Sequence, residues 1–196
     1  VLDEAPISYV KWDMNRNMSE LGSKGLPSDR QKEMPHRYML GLYDTMERVI
    51  SAHPDVLFEG CSGGGGRFDP GMLYYMPQIW ASDDTDAIYR AKGQTGYSYG
   101  YPMSTVTAHV SACPNHQTLR MTPLSTRFNV GAFGVLGYEC DFCDMKSEDV
   151  AEIKNQIALY KKWTEVLQFG TFYRGRSGNL YEWTCVSRDR SKAVGM

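Results

Sequence analysis

Apolar and polar positions recur along the chain in two periods, and the period switches from element to element. "ISYVKWD" (residues 7–13) is a short β-rich run that ends on a charge. The polar, Gly- and Pro-bearing "NRNMSELGSKGLPSDR" after it predicts a loop. Between His36 and His53, Met39, Leu42, Tyr43, Met46, Val49 and Ile50 fall at helical spacing, and Pro54 closes the run. "DVLFEG" (55–60) predicts a buried strand, and a loop with four consecutive glycines follows it. "PGMLYYMPQ" allows a short helix ended by Pro77, and "QIWAS" (78–82) predicts the next strand. "DDTDAIYRAK" opens a helix with acidic residues in its first turn. "MSTVTAHVS" (103–111) reads as a strand, "PLSTRFNVGAF" (123–133) as a helix and "GVLGYE" (134–139) as a strand. Ser147 is expected to cap a long helix, with Glu148 and Asp149 in the first turn and an apolar face through Val150, Ile153, Ile157, Tyr160 and Leu167. Past Gly170 the pattern changes to short β-like pieces, "TFYRG" and "LYEWTCVS".

Strands alternating with helices predict a parallel α/β sheet, followed here by the start of a β-rich module. In such sheets and barrels the chemistry lies at the C-terminal ends of the strands. Three predicted ends are rich in functional groups: "KWDMN", "FEGCSGGGG" and "ASDDTD".

Composition narrows the class. Hydrophobic residues make up 42% and charged residues 22%, ordinary for a globular protein. A formal net charge of −2 gives no electrostatic footprint for nucleic acid. Cysteines at 61, 113, 140, 143 and 185 are too sparse and odd in number for a disulfide framework. No apolar run approaches the ~20 residues of a membrane helix. With 196 residues the chain is short for a whole (β/α)8 barrel, and it opens without Met inside a strand approach, so a piece of a longer protein is expected.

At the first end, Lys11 and Asp13 share a strand face while Trp12 points the other way. A neighbouring cation keeps a carboxylate ionised, which suits a nucleophile; a surface ion pair is the plain alternative. At the third, Asp83, Asp84 and Asp86 crowd a strand-to-helix turn. One or two can cap the helix, and like charges raise the pKa of one member for general-acid work. The spacing fits neither an EF-hand nor a facial triad, so no metal is expected. The run Gly63–Gly66 lacks the Lys-Ser/Thr of a Walker loop, which leaves a turn or a ligand against the backbone. Cys140 and Cys143 form half of a metal or redox pair. His109, His116, Arg16, Arg120 and Arg127 stand as lesser candidates. Trp12, Trp80 and the Tyr97–Tyr99–Tyr101 stretch supply rings of the kind that stack on sugars.

"YVKWDMNR", "FEGCSGGGGRFDPGMLYYMPQIWASDDTDAIYR" and "AHVSACPNHQTLRMTPLSTRFNV" together resemble the α-galactosidases of glycoside hydrolase family 36, from about Ile7 to Phe172. The resemblance implies a partial (β/α)8 TIM barrel, strands four to eight over residues 1–169, followed by the start of an antiparallel β-domain at 170–196. It implies retaining hydrolysis of terminal α-galactosides such as melibiose and raffinose, with two carboxylates about 5–5.5 Å apart. The nucleophile of the family's K-x-D motif falls on Asp13 and the acid/base on Asp83. Sugar contacts fall on Lys11, Asn15, Cys61 and Gly63. On this resemblance Gly63–Gly65 form a wall of a sugar pocket. No cofactor is implied. The partners are α-galactoside oligosaccharides, not nucleic acid or membrane, and the parent is expected to be a cytoplasmic homo-oligomer. Cys113, Cys140 and Cys143 depart from the family pattern and read as small apolar substitutes. A galactosyl transferase of the same family and a non-catalytic galactose-binding remnant are the alternatives, with a phosphate-binding protein last.

Overall fold

A computed structural model of the chain describes residues 1–15 and 19–196; Arg16 lies outside the described residues. The chain divides into two compact units, Val1–Ala81 and Ser82–Met196.

The first unit runs β1 (Tyr9–Asp13), a 3-10 turn (Ser28–Glu33), α1 (Met34–Ala52), β2 (Leu57–Cys61), α2 (Pro70–Tyr75) and β3 (Gln78–Trp80). Its three strands are parallel, with β2 in the middle. Val10, Trp12, Phe58 and Ile79 turn toward the helices and pack with Met46, Met72 and Met76. Because side chains alternate, Lys11, Asp13, Glu59, Cys61, Gln78 and Trp80 share the opposite face. Register sets Lys11 beside Glu59 and Asp13 beside Cys61. Pro70 opens α2, and Asp69 caps it by accepting the Met72 N–H at 3.0 Å.

The second unit runs α3 (Ala87–Tyr97), a 3-10 turn (Met103–Thr105), β4 (Val106–Ser111), α4 (Leu124–Ala132), β5 (Val135–Glu139), α5 (Ser147–Phe169), β6 (Thr171–Ser177), β7 (Leu180–Val186) and β8 (Ala193–Gly195). Strands β4 and β5 are parallel, while β6, β7 and β8 form an antiparallel meander. The β6–β7 hairpin turns on Gly178, whose φ of +58° suits glycine. The meander packs on the helices through Trp183, fully buried among Ala87, Ala91, Val130, Phe133, Val166 and Leu167. The indole N–H of Trp183 donates to the Thr95 hydroxyl at 3.0 Å.

Two local expectations change. The run at 103–111 starts as a 3-10 turn behind Pro102, and extended pairing begins only at Val106. Ser147 does not cap α5. Lys146 holds the extended backbone of the cap position, which makes Ser147 the first helical residue, without a side-chain cap bond. Glu148 and Asp149 still place negative charge at the helix N-terminus.

Candidate active site

In the first unit the C-terminal ends of β1 and β2 build a cluster around Asp13. The Asn15 amide donates to Asp13 Oδ2 at 3.0 Å, and its carbonyl oxygen accepts the N–H of Gly63. Asn15 therefore ties the acidic strand end to the glycine loop. That loop is shaped by its own chain. Gly63 and Gly64 sit at φ +54° and +79°, where an L side chain is strained. A Cβ on Gly66 would lie 2.6 Å from the Ser62 carbonyl oxygen. A Cβ on Gly63 would find only Asn15 Oδ1, at 3.8 Å, so its outer side is open. The Ser62 hydroxyl donates to the Met14 carbonyl at 2.7 Å. Buried Arg67 reaches the Ser62 hydroxyl at 3.3 Å and the Tyr38 hydroxyl at 3.0 Å. Cys61 is buried and forms no disulfide.

The ammonium of Lys11 lies 3.8 Å from Glu59 and 4.1 Å from the centre of the Trp80 ring. The ion-pair partner on its own sheet face is thus Glu59, a residue that the sequence reading passed over. Glu59 is buried, accepts from the Tyr9 hydroxyl, and accepts from the Gln78 amide at 2.8 Å. A lone acid in an apolar strand was the available signal. Held by an acid and an aromatic face, the lysine has a fixed position from which to donate to a hydroxyl.

In the second unit Asp83 sits in the turn before α3. Its neighbours are fully engaged in structure. Asp84 accepts the Asp86 N–H at 3.0 Å, and its own N–H donates to the Ser82 hydroxyl at 3.1 Å. Asp86 caps α3 through the N–H groups of Ile88 and Tyr89. The Thr118 hydroxyl and the Arg120 guanidinium also donate to it, at 2.7 and 2.6 Å. The 112–120 loop is clamped to the Asp83 turn, with Gln117 accepting the Thr85 N–H and Asn115 donating to the Thr85 hydroxyl.

Other candidates fall elsewhere. His109 lies on β4, not in a loop, with Nδ1 3.8 Å from Glu139. Arg127 donates to the carbonyls of Ser111 and Thr122, and His116 is exposed. Cys113 and Cys140 line a cavity of about 370 Å³ beyond β4 and β5. Cys113 and Cys143 are exposed, so the small-apolar reading fails for both: their loops cover no core. No cluster of three or more His, Cys, Asp or Glu of metal-site kind occurs among the described residues. The Tyr97–Tyr101 stretch follows α3 and leads into the N-terminal end of β4, so it is remote from that strand's C-terminal end. There Tyr99 stacks under Arg174 at 3.7 Å. No described helix is long and apolar enough to cross a membrane.

Parallel strands joined by helices, with an antiparallel sheet after them, define an α/β protein with acidic residues at its strand ends. The melibiase family profile matches residues 1–170, and the chain belongs to that family, glycoside hydrolase family 36. Alpha-galactosidase AgaA of Geobacillus stearothermophilus is 55% identical over 99% of the chain, which spans 27% of that relative's length. A solved AgaA variant in complex with raffinose superposes with a TM-score of 0.95 at 53% identity, covering 99% of this chain and 27% of that one. Another AgaA variant, in complex with stachyose, gives 0.95 at 54% identity with the same coverage. The fold is therefore a partial barrel, with three parallel strands from the first unit and two from the second, followed by a three-stranded antiparallel sheet.

Proposed function

We propose that this segment supplies both catalytic carboxylates of a longer retaining α-galactosidase acting on terminal α-galactosides of the melibiose and raffinose type. Asp13 attacks the anomeric carbon while Asp83 protonates the departing glycosidic oxygen, giving a galactosyl–Asp13 ester and a free alcohol. Water then adds to the anomeric carbon as Asp83 takes its proton, and the Asp13 carboxylate leaves. Lys11, Asn15, Cys61 and Gly63 contact the sugar. The barrel part takes residues 1–169 and the β-domain begins at residue 170, a division supported by the change from α5 to the antiparallel strands there.

The observation that carries the reading is the chain Asp13–Asn15–Gly63. A nucleophile needs a fixed lone-pair direction, and the Asn15 amide holds one oxygen of Asp13 while the glycine loop holds Asn15. A second support comes from the relatives. The raffinose and stachyose complexes of AgaA each carry a replaced aspartate, and those two aspartates are as many residues apart as Asp13 and Asp83 are here.

The test uses the full-length enzyme that carries this segment. Asp13→Ala is expected to abolish turnover of every galactoside. Asp83→Ala is expected to lose about 10²–10⁴-fold on raffinose, whose leaving group needs a proton, and far less on a nitrophenyl galactoside. Equal losses on the two substrates would remove Asp83 from the acid/base role.

A further inference from the structure

The turn that carries Asp83 is gripped by one buried arginine. Arg90, on α3, is 4% exposed. Its Nη2 donates to the Ser82 carbonyl at 2.5 Å and its Nε to the Asp84 carbonyl at 2.7 Å. These are the residues on either side of Asp83. The remaining fork, Nη1, donates to the Thr107 carbonyl on β4 at 3.2 Å. One planar group thus ties the backbone before Asp83, the backbone after it and the adjacent strand. Burial lowers the Arg90 pKa, and Tyr97, Asp84, Glu139 and Asp83 pull it back up.

A buried arginine is costly unless its donors are used. Arg90 uses its donors on three main-chain carbonyls. Lysine has no rigid fork to hold two carbonyls that flank one residue. The bonds fix the main chain on both sides of Asp83.

We infer that Arg90 is a positioning residue for Asp83, aligning the turn so that the acid meets the departing glycosidic oxygen. The inference rests on the acid/base reading of Asp83 given above. It separates Arg90 from a residue that merely packs α3. General packing damage slows all substrates alike, whereas a misplaced acid slows those whose leaving group must be protonated.

The experiment compares kcat/KM on raffinose and on a nitrophenyl galactoside for full-length wild type, Arg90→Lys and Asp83→Ala, with a melting curve for each. Arg90→Lys is expected to lose about 10–100-fold on raffinose and less than about 3-fold on the aryl substrate. Asp83→Ala is expected to show the same preference more strongly. If Asp83→Ala discriminates and Arg90→Lys loses equally on both, the positioning role is overturned and the acid/base reading survives. If Asp83→Ala itself fails to discriminate, both fall together. Should Arg90→Lys be insoluble, the smaller, uncharged Arg90→Gln carries the same comparison with the same two outcomes.

Discussion

Asp86 is almost fully buried, yet its carboxylate stays charged because donors surround it. Burial pulls its pKa up, but the Thr118 hydroxyl, the N–H groups of Tyr89 and Ile88 and the Arg120 guanidinium outweigh that and hold it below the ordinary value. A group whose folded pKa is depressed contributes stability above its unfolded pKa and loses it as pH falls through the folded one. Asp86→Asn keeps an oxygen for the helix cap and loses the charge that faces Arg120. The full-length variant is expected to be less stable by about 1–2 kcal/mol near neutral pH. The gap should close as pH is lowered from neutral to below the ordinary carboxylate value of about 4. Urea unfolding of both proteins at the two ends of that range measures it, and a gap that persists in acid would assign the loss to shape instead of charge. At this scale the sequence placed Asp86 among three acids and offered capping for it, which the structure bears out. Its partner Arg120 was legible only as an unassigned cation, because the pairing depends on how a loop 34 residues away folds back. Glu59 was hidden for the same reason: its link to Lys11 exists only once β1 and β2 are in register.

Elements were easier to read than contacts, since helix and strand periods and their Pro and Gly ends are local. α1 stops at Ala52, two residues before Pro54, and α2 begins on Pro70 and ends before Pro77. What periodicity did not show is where a connecting stretch lands. Tyr97, Tyr99 and Tyr101 looked like sugar-stacking rings, but α3 returns the chain to the start of β4 and carries them away from that strand's C-terminal end. Nor did it show that β7 depends on three helices. Trp183 on β7 reaches α3 through Thr95 and packs against Phe133 with ring centres 5.5 Å apart. Cys185, two residues on, is buried deeply enough to push its thiol up to about 11. Trp183→Ala removes the centre of that cluster and is expected to cost about 3–5 kcal/mol. The sheet β6–β8 should then become the first site of limited proteolysis. Cleavage rates within residues 170–196 in the full-length enzyme check this, and an unchanged pattern would show that the sheet stands without the helices.

For the molecule as a whole, the decisive quantity is how much of a barrel one segment can hold. The chain spans 27% of the length of AgaA, and its own strands make three parallel neighbours in the first unit and two in the second. Among the described residues β1 pairs on one side only, with β2, and β5 only with β4. Unpaired parallel edges expose main-chain donors and acceptors that a closed barrel satisfies. Asp13 lies on β1, so the proposed nucleophile stands on one of those edges. Its other neighbours in a closed barrel would come from strands outside this sequence. A nucleophile needs sub-ångström placement to attack, and an edge strand with one partner does not supply it. The isolated 196-residue polypeptide is therefore expected to give no measurable turnover of a nitrophenyl α-galactoside, while the full-length enzyme turns it over. The assay is run beside the Asp13→Ala form of the same polypeptide. Turnover by the isolated chain that disappears in the variant would mean that the segment alone aligns both carboxylates, and that the rest of the barrel serves binding instead of chemistry.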